Sequence, residues 1–169
     1  MKRASSTLLA GLLGTAAALL VAAAPAAALT CNGLTATIVG TSGNDFLYGT
    51  NSADVMAGGG GSDYVLGYGG NDSLCGGGNL FDFINGGEGD DTLLGFGGPD
   101  QLYGSPGNDV LAGHDGNDWV NGYGENDEAY GGPNDDTVIG GDGTDLVNGR
   151  EGYDTCSSGE TYGACEVIQ

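Results

Sequence analysis

Gly86-Gly87-Glu88-Gly89-Asp90-Asp91-Thr92-Leu93-Leu94 is one nine-residue phrase, and Gly140-Gly141-Asp142-Gly143-Thr144-Asp145-Leu146-Val147-Asn148 is another. The same phrase recurs thirteen times between Gly40 and Ser157, with copies starting at Gly40, Gly49, Gly58, Gly67, Gly76, Gly86, Gly95, Gly104, Gly113, Gly122, Gly131, Gly140 and Gly149. The sixth position is always aspartate: Asp45, Asp54, Asp63, Asp72, Asp82, Asp91, Asp100, Asp109, Asp118, Asp127, Asp136, Asp145 and Asp154. The eighth is always apolar, from Leu47 and Met56 at one end to Val147 and Cys156 at the other. Twelve copies have nine residues, and the copy from Gly76 has ten through an insertion near Asn79. Tandem self-similarity at a fixed short period is the signature of a solenoid.

Each phrase divides into a turn and a strand. Positions one to six read as turn chemistry, because glycine supplies positive φ without steric cost and Asn or Asp at position five tolerates it. Positions seven to nine read as a short strand whose middle side chain points inward, since side chains alternate across a strand. Two phrases then make one flattened coil, and the expected fold is all-β: a parallel β-roll of tandem nonapeptides, two per coil, with short terminal caps. About six and a half coils at ~4.8 Å per strand give a rod of roughly 30 Å.

In such a roll equivalent turns stack on every second phrase, so Asp45 lies near Asp63 and Asp54 near Asp72. Like charges about 5 Å apart repel unless a cation intervenes. Calcium takes six to eight oxygen ligands from carboxylates and main-chain carbonyls, and glycine-rich turns supply both. Magnesium demands tighter octahedral geometry and fits less well. All thirteen position-six aspartates are therefore candidate calcium ligands. Six gaps between stacked turns on one edge and five on the other set a ceiling of about eleven ions. The competing readings are a metal-free solenoid and a disordered acidic linker. Ser52-Ala53, Glu125 and Asn134 replace the usual glycine region, so sites at those turns and at the Asn79 insertion are expected to be weaker or empty.

These phrases, of the form G-G-x-G-x-D-x-U-x with U apolar, resemble those of the RTX or hemolysin-type calcium-binding repeat family. The resemblance covers Gly40 to Ser157. It implies a parallel β-roll that folds on binding calcium outside the cell, with the aspartates as ligands, and it is nearest to short secreted bacterial repeat proteins. Toxin, protease or lipase activity is not implied, because in that family such activities sit in separate domains.

Outside the repeats, Lys2 and Arg3 precede the apolar run Leu8 to Ala24 and the small residues Ala26-Ala27-Ala28. Residues 1–28 thus read as a secretory signal peptide and not as a membrane span, and the protein is expected to be extracellular. Residues 29–39 read as an N-terminal cap, 40–157 as the calcium-binding roll and 158–169 as a C-terminal cap. In the first cap, Cys31 to Val39 has the length of one phrase, with Ile38 at the eighth position. The full chain has a net charge of −20, and loss of Lys2 and Arg3 leaves Arg150 alone against 23 acids. That balance excludes favourable contact with nucleic acid or an anionic membrane.

Four cysteines in an exported chain favour disulfides. Cys156 and Cys165 bracket the C-terminal cap and are expected to pair. Cys31 and Cys75 remain by elimination, although the register sets them two coils, about 10 Å, apart, beyond disulfide reach unless the cap folds over. His114, the sole histidine, reads as an exposed turn residue. Without a pocket, nucleophile or histidine partner, paired acids such as Asp90-Asp91 do not suggest an enzyme. Odd copies place Phe46, Tyr48, Tyr64, Phe83, Tyr103 and Trp119 on one outer face, and even copies place only Tyr130 on the other. This face is a candidate for docking a glycan, a cell surface or a second copy. The expected function is a structural or adhesive calcium-folded protein, with a carbohydrate- or surface-binding module as the alternative.

Overall fold

Asn32 and Gly33 have φ of 50° and 76°, the paired left-handed conformations of a two-residue hairpin turn. They reverse the chain between β1 (Thr30–Cys31) and β2 (Leu34–Thr35), which pair antiparallel. The computed structural model describes residues 29–157, 161–163 and 165–167. The expected signal segment 1–28 lies outside the described residues.

From there every copy contributes one strand, and alternate copies build opposite sheets. The even-copy sheet contains β3 (Ile38–Val39), β5 (Val55–Gly59), β7 (Ser73–Gly77), β9 (Thr92–Gly97), β11 (Val110–Asp115), β13 (Glu128–Pro133), β15 (Leu146–Glu151) and β17 (Thr161–Gly163). The odd-copy sheet contains β4 (Phe46–Tyr48), β6 (Tyr64–Gly69), β8 (Phe83–Glu88), β10 (Gln101–Pro106), β12 (Trp119–Gly124), β14 (Thr137–Asp142), β16 (Thr155–Ser157) and β18 (Glu166–Val167). Both sheets are parallel and eight-stranded, and position eight stacks on position eight: Leu93 on Leu111, Leu102 on Val120. Those side chains, Leu47 to Cys156, form the single apolar column between the sheets, and all but Leu47 are fully buried. The expected two-phrase β-roll is the observed fold.

Three local expectations need correction. Strands do not stop at position nine. The full-length ones continue through positions one to three of the next copy, as in β6 from Tyr64 to Gly69, and only positions four to six cross between sheets. In the nine-residue copies positive φ falls at positions two and four and not at five. At position two it is adopted by Tyr68, Phe96, Ser105, His114, Tyr123 and Arg150. At position four Glu125 (φ 70°) and Asn134 (φ 86°) also take positive φ, as the glycines there do, so these turns are kept. Position-five side chains instead tie neighbouring coils together. Oδ1 of Asp90 accepts from Asn108 N at 2.9 Å, and Oδ1 of Asn126 accepts from Thr144 N at 2.9 Å.

The caps also differ from the sequence reading. Ile38 does stand opposite Met56 at the eighth position. Cys31, however, sits on the reversing hairpin and not on a preceding coil. The fold-over brings it to Cys75 as a disulfide with Cα atoms 5.6 Å apart. Cys156 and Cys165 pair as expected, at 5.7 Å. At the other end β17 and β18 add one further strand to each sheet in register, Tyr162 opposite Val147 and Val167 opposite Cys156, although the phrase has ended.

Candidate metal sites

Because position six precedes an inward-facing strand, its side chain turns into the space between coils. The aspartates from Asp63 to Asp154 are all buried. Each carboxylate splits its two oxygens between different roles. Oδ1 accepts a hydrogen bond from the backbone N–H of the aspartate one coil earlier: Asp91 N to Asp109 at 2.8 Å, Asp100 N to Asp118 at 2.8 Å, Asp118 N to Asp136 at 2.8 Å. Oδ2 is left with no hydrogen-bond partner in Asp63, Asp72, Asp82, Asp91, Asp100, Asp109, Asp118, Asp127, Asp136, Asp145 and Asp154. Buried unpartnered polar atoms are rare in native proteins, and here eleven of them form two columns.

The space beside each orphan oxygen is held open by the glycine at position one. A Cβ on Gly104 would collide with Asp109 Oδ2 and come 2.8 Å from the Gly122 carbonyl oxygen. One on Gly95 would lie 2.5 Å from Asp100 Oδ2 and 2.7 Å from the Gly113 carbonyl oxygen. At Gly58, Gly67, Gly86, Gly95, Gly104, Gly122 and Gly131 a carboxylate oxygen from the same copy and a carbonyl oxygen from the next coil meet in this way. Among the described residues no three His, Cys, Asp or Glu side chains converge on one point. Carboxylates alone make no cluster, and the remaining donors are main-chain oxygens. An all-oxygen set combining one charge per turn with backbone carbonyls fits calcium and does not fit a thiolate- or imidazole-seeking metal.

The protein alone holds these acids at a cost. Burial is the largest influence on each, raising Asp63 and Asp72 and pushing Asp82, Asp91, Asp109 and Asp136 up to about 7. Asp100 reaches about 8, and Asp118 and Asp127 about 6. The Oδ1 hydrogen bonds lower all of them, without cancelling the desolvation. A cation in the slots would restore the ionised form.

Asp45 and Asp54, at the start of the two columns, are different. Oδ2 of Asp45 accepts from Thr41 N at 2.6 Å and from Thr41 Oγ1 at 2.8 Å. Oδ2 of Asp54 accepts from Thr50 N at 2.7 Å and from Thr50 Oγ1 at 2.9 Å. Threonine at position two, present only in these two copies, thus closes the first turn on each edge from within. The expectation of a weaker site at Ser52-Ala53 did not include this closure by threonine. For Glu125 and Asn134 that expectation is not supported by the geometry: Asp127 and Asp136 have the same Oδ1 bond and orphan Oδ2 as their neighbours.

The outer faces carry more aromatic residues than positions seven and nine revealed. On the odd-copy sheet Phe46, Tyr64, Phe83, Tyr103 and Tyr123 form a continuous ladder, with Tyr48 against Tyr68 beside it. Tyr68 and Tyr123 come from position two, and a sum over that position would have found them. Tyr64 and Phe83 lie face to face, centroids 4.4 Å apart and 7° between planes, so these rings spend their faces on each other. The even-copy sheet is less bare than expected. His114 belongs to β11, stacks on Phe96 at 5.4 Å, and has its pKa lowered chiefly by burial, with Arg150 adding to the effect. The Arg150 guanidinium lies 4.8 Å over the Tyr130 ring.

Among the described residues no helix is long and apolar enough to cross a membrane. Compared with known proteins, the chain matches the family model of the RTX calcium-binding nonapeptide repeat at residues 35–65, 48–79, 76–111, 94–129 and 121–156. No curated protein matches it.

Proposed function

Because the chain belongs to the RTX calcium-binding nonapeptide repeat family, we propose that calcium fills the two Asp columns of this β-roll and that the protein works outside the cell as a calcium-folded structural or adhesive element. The orphan Oδ2 atoms carry this reading: eleven buried anionic oxygens without a donor call for a cation. Asp63, Asp72, Asp82, Asp91, Asp100, Asp109, Asp118, Asp127, Asp136, Asp145 and Asp154 would be the principal ligands, one for each inter-turn gap, which keeps the ceiling at about eleven ions. Asp45 and Asp54 border the first gaps and contribute less, since their Oδ2 atoms are already bonded to threonine. An extracellular site is supported by two disulfides, which persist in oxidising compartments, and by the expected signal peptide.

The reading is non-enzymatic. The buried carboxylates are committed to the columns, and His114 is stacked against Phe96. At neutral pH in excess chelator, circular dichroism should report a largely disordered chain, and calcium in the millimolar range typical of extracellular modules should induce β-structure. A full β spectrum in chelator at neutral pH refutes the proposal.

A further inference from the structure

Three departures from the phrase lie far apart in sequence and meet in space. The inserted residue belongs to the copy that ends its turn in Leu80-Phe81, Pro99 occupies position five two copies later, and Trp119 occupies position seven two copies after that. All three lie on the turn edge that feeds the odd-copy sheet. Phe81, Pro99, Gln101, Asn117, Trp119 and Thr137 line a groove of ≈ 340 Å³ there, together with Asp100, Asp118 and Asp135. Gln101 stands in register with Phe83 on one side and Trp119 on the other, so it forms the floor between strands β8 and β12.

The groove coincides with a break in the position-five ladder. On the opposite edge that ladder is unbroken from Asn71 through Asp90, Asn108 and Asn126 to Thr144. On this edge it links Asn44 to Ser62 and Asp135 to Tyr153 and is absent between them. Pro99 has no N–H to donate, and the Asn117 amide makes no side-chain hydrogen bond among the described residues. Gln101 accepts a long bond from the Tyr103 hydroxyl at 3.4 Å and keeps its amide donors. Phe81 and Trp119 are each 41% exposed and, unlike the stacked ladder rings, lie against no other aromatic ring among the described residues.

We propose that this groove binds an uncharged saccharide ring of a glycan, held between the Phe81 and Trp119 rings and hydrogen-bonded by the Gln101 and Asn117 amides and the Thr137 hydroxyl. Two aromatic rings suit the C–H faces of a pyranose, and the amides and the hydroxyl between them match sugar hydroxyls. Charge selects within the class. The acidic chain repels uronates and sulfated sugars. A basic peptide would need free carboxylates in the groove, whereas the open Oδ2 atoms of Asp100 and Asp118 are those assigned to calcium above and Asp135 accepts from Tyr153 N. This deepens the adhesive reading above by naming a ligand class, and its failure would leave calcium-dependent folding untouched.

Trp119 is the only tryptophan, so its fluorescence reports this groove directly. The calcium-loaded full chain is titrated with cellohexaose, maltohexaose, hexagalacturonate and hexalysine, and circular dichroism is recorded on the same samples. A saturable change in Trp119 emission is expected with at least one of the two neutral hexasaccharides and with neither charged probe. Phe81→Ala and Asn117→Ala, both at exposed turn positions, should each weaken it, the first about tenfold, with the calcium-induced spectrum unchanged. No saturable change with either neutral sugar overturns the proposal. So does an equal response to hexagalacturonate or hexalysine, or undiminished binding by Phe81→Ala and Asn117→Ala.

Discussion

Replacing Asp109 by asparagine should shift stability in opposite directions with and without calcium. Asp109 is buried, its Oδ1 accepts from Asp91 N at 2.8 Å, and its Oδ2 has no partner. Burial, ahead of the neighbouring carboxylates, pushes its pKa from 3.8 up to about 7. A folded-state pKa above the unfolded one means that ionisation opposes folding once the pH exceeds about 4, increasingly so up to about 7. Roughly three pKa units correspond to about 4 kcal/mol at pH 7, and relaxation and water penetration reduce this to about 2 kcal/mol. Asparagine keeps the Oδ1 acceptor and removes the charge, so the calcium-free fold should gain about 2 kcal/mol. With calcium the sign reverses, because one anionic ligand is lost from its gap; at a hundredfold excess over Kd a single site is worth about 2.7 kcal/mol. Thr50→Val is the control. It removes the hydroxyl bond to Asp54 and should cost about 1 kcal/mol in both states. Folding of the calcium-free protein can be driven by trimethylamine oxide in excess chelator at pH 7, and loaded stability read from urea melts in calcium. If Asp109→Asn loses stability in both media, or Thr50→Val changes with calcium, the division between metal-filled and threonine-closed turns is wrong.

Acid should partly replace calcium. As pH falls from 8, Asp100 takes up its proton in the folded chain first, then Asp82, Asp91, Asp109 and Asp136 near 7 and Asp118 and Asp127 near 6, while the unfolded chain stays ionised to about 4. Circular dichroism in chelator should therefore show β-structure growing between pH 8 and pH 4, and calcium affinity should fall over the same interval. The disulfides should contribute unequally: Cys31–Cys75 spans 44 residues and Cys156–Cys165 spans 9. Chain-entropy arguments give about 4 and about 3 kcal/mol, so a Cys31→Ala, Cys75→Ala variant should need more calcium to fold than the C-terminal pair variant in parallel titrations.

The sequence displayed the fold because two of its nine positions are fixed by packing that no neighbour can alter: position eight fills the apolar column and position six the turn. What it concealed depends on residues whose type varies while their conformation does not. Position two is Tyr68, Phe96, Ser105, His114 or Arg150, yet all take φ between 72° and 80°. Nothing in that mixture signals a left-handed residue inside a strand, so the strands read three residues too short and the Tyr68 and Tyr123 rings were missed. The path of the chain inside the N-terminal cap was hidden for the opposite reason. Ile38 continued the eighth-position pattern so well that the Asn32-Gly33 turn signal was overlooked, and with it the reversal that carries Cys31 to Cys75. The roles of Thr41 and Thr50 emerge only from hydrogen bonding, because a threonine in a glycine-rich turn looks like one more polar substitution.

The alternation of copies between two sheets makes the outer surface a matter of parity. Deleting or duplicating eighteen residues inside the array would lengthen or shorten the rod and leave each surviving side chain on its own face, beside the same kind of neighbour. A change of nine would send everything downstream to the other face and cut the aromatic ladder in two. A single added residue does neither: at the ten-residue copy the bond from Asp63 N to Asp82 and that from Asp72 N to Asp91 simply span nineteen residues, with the excess pushed outward at Leu80 and Phe81. The rod can therefore change length only in whole coils, yet acquire new surface wherever a turn takes in one extra residue.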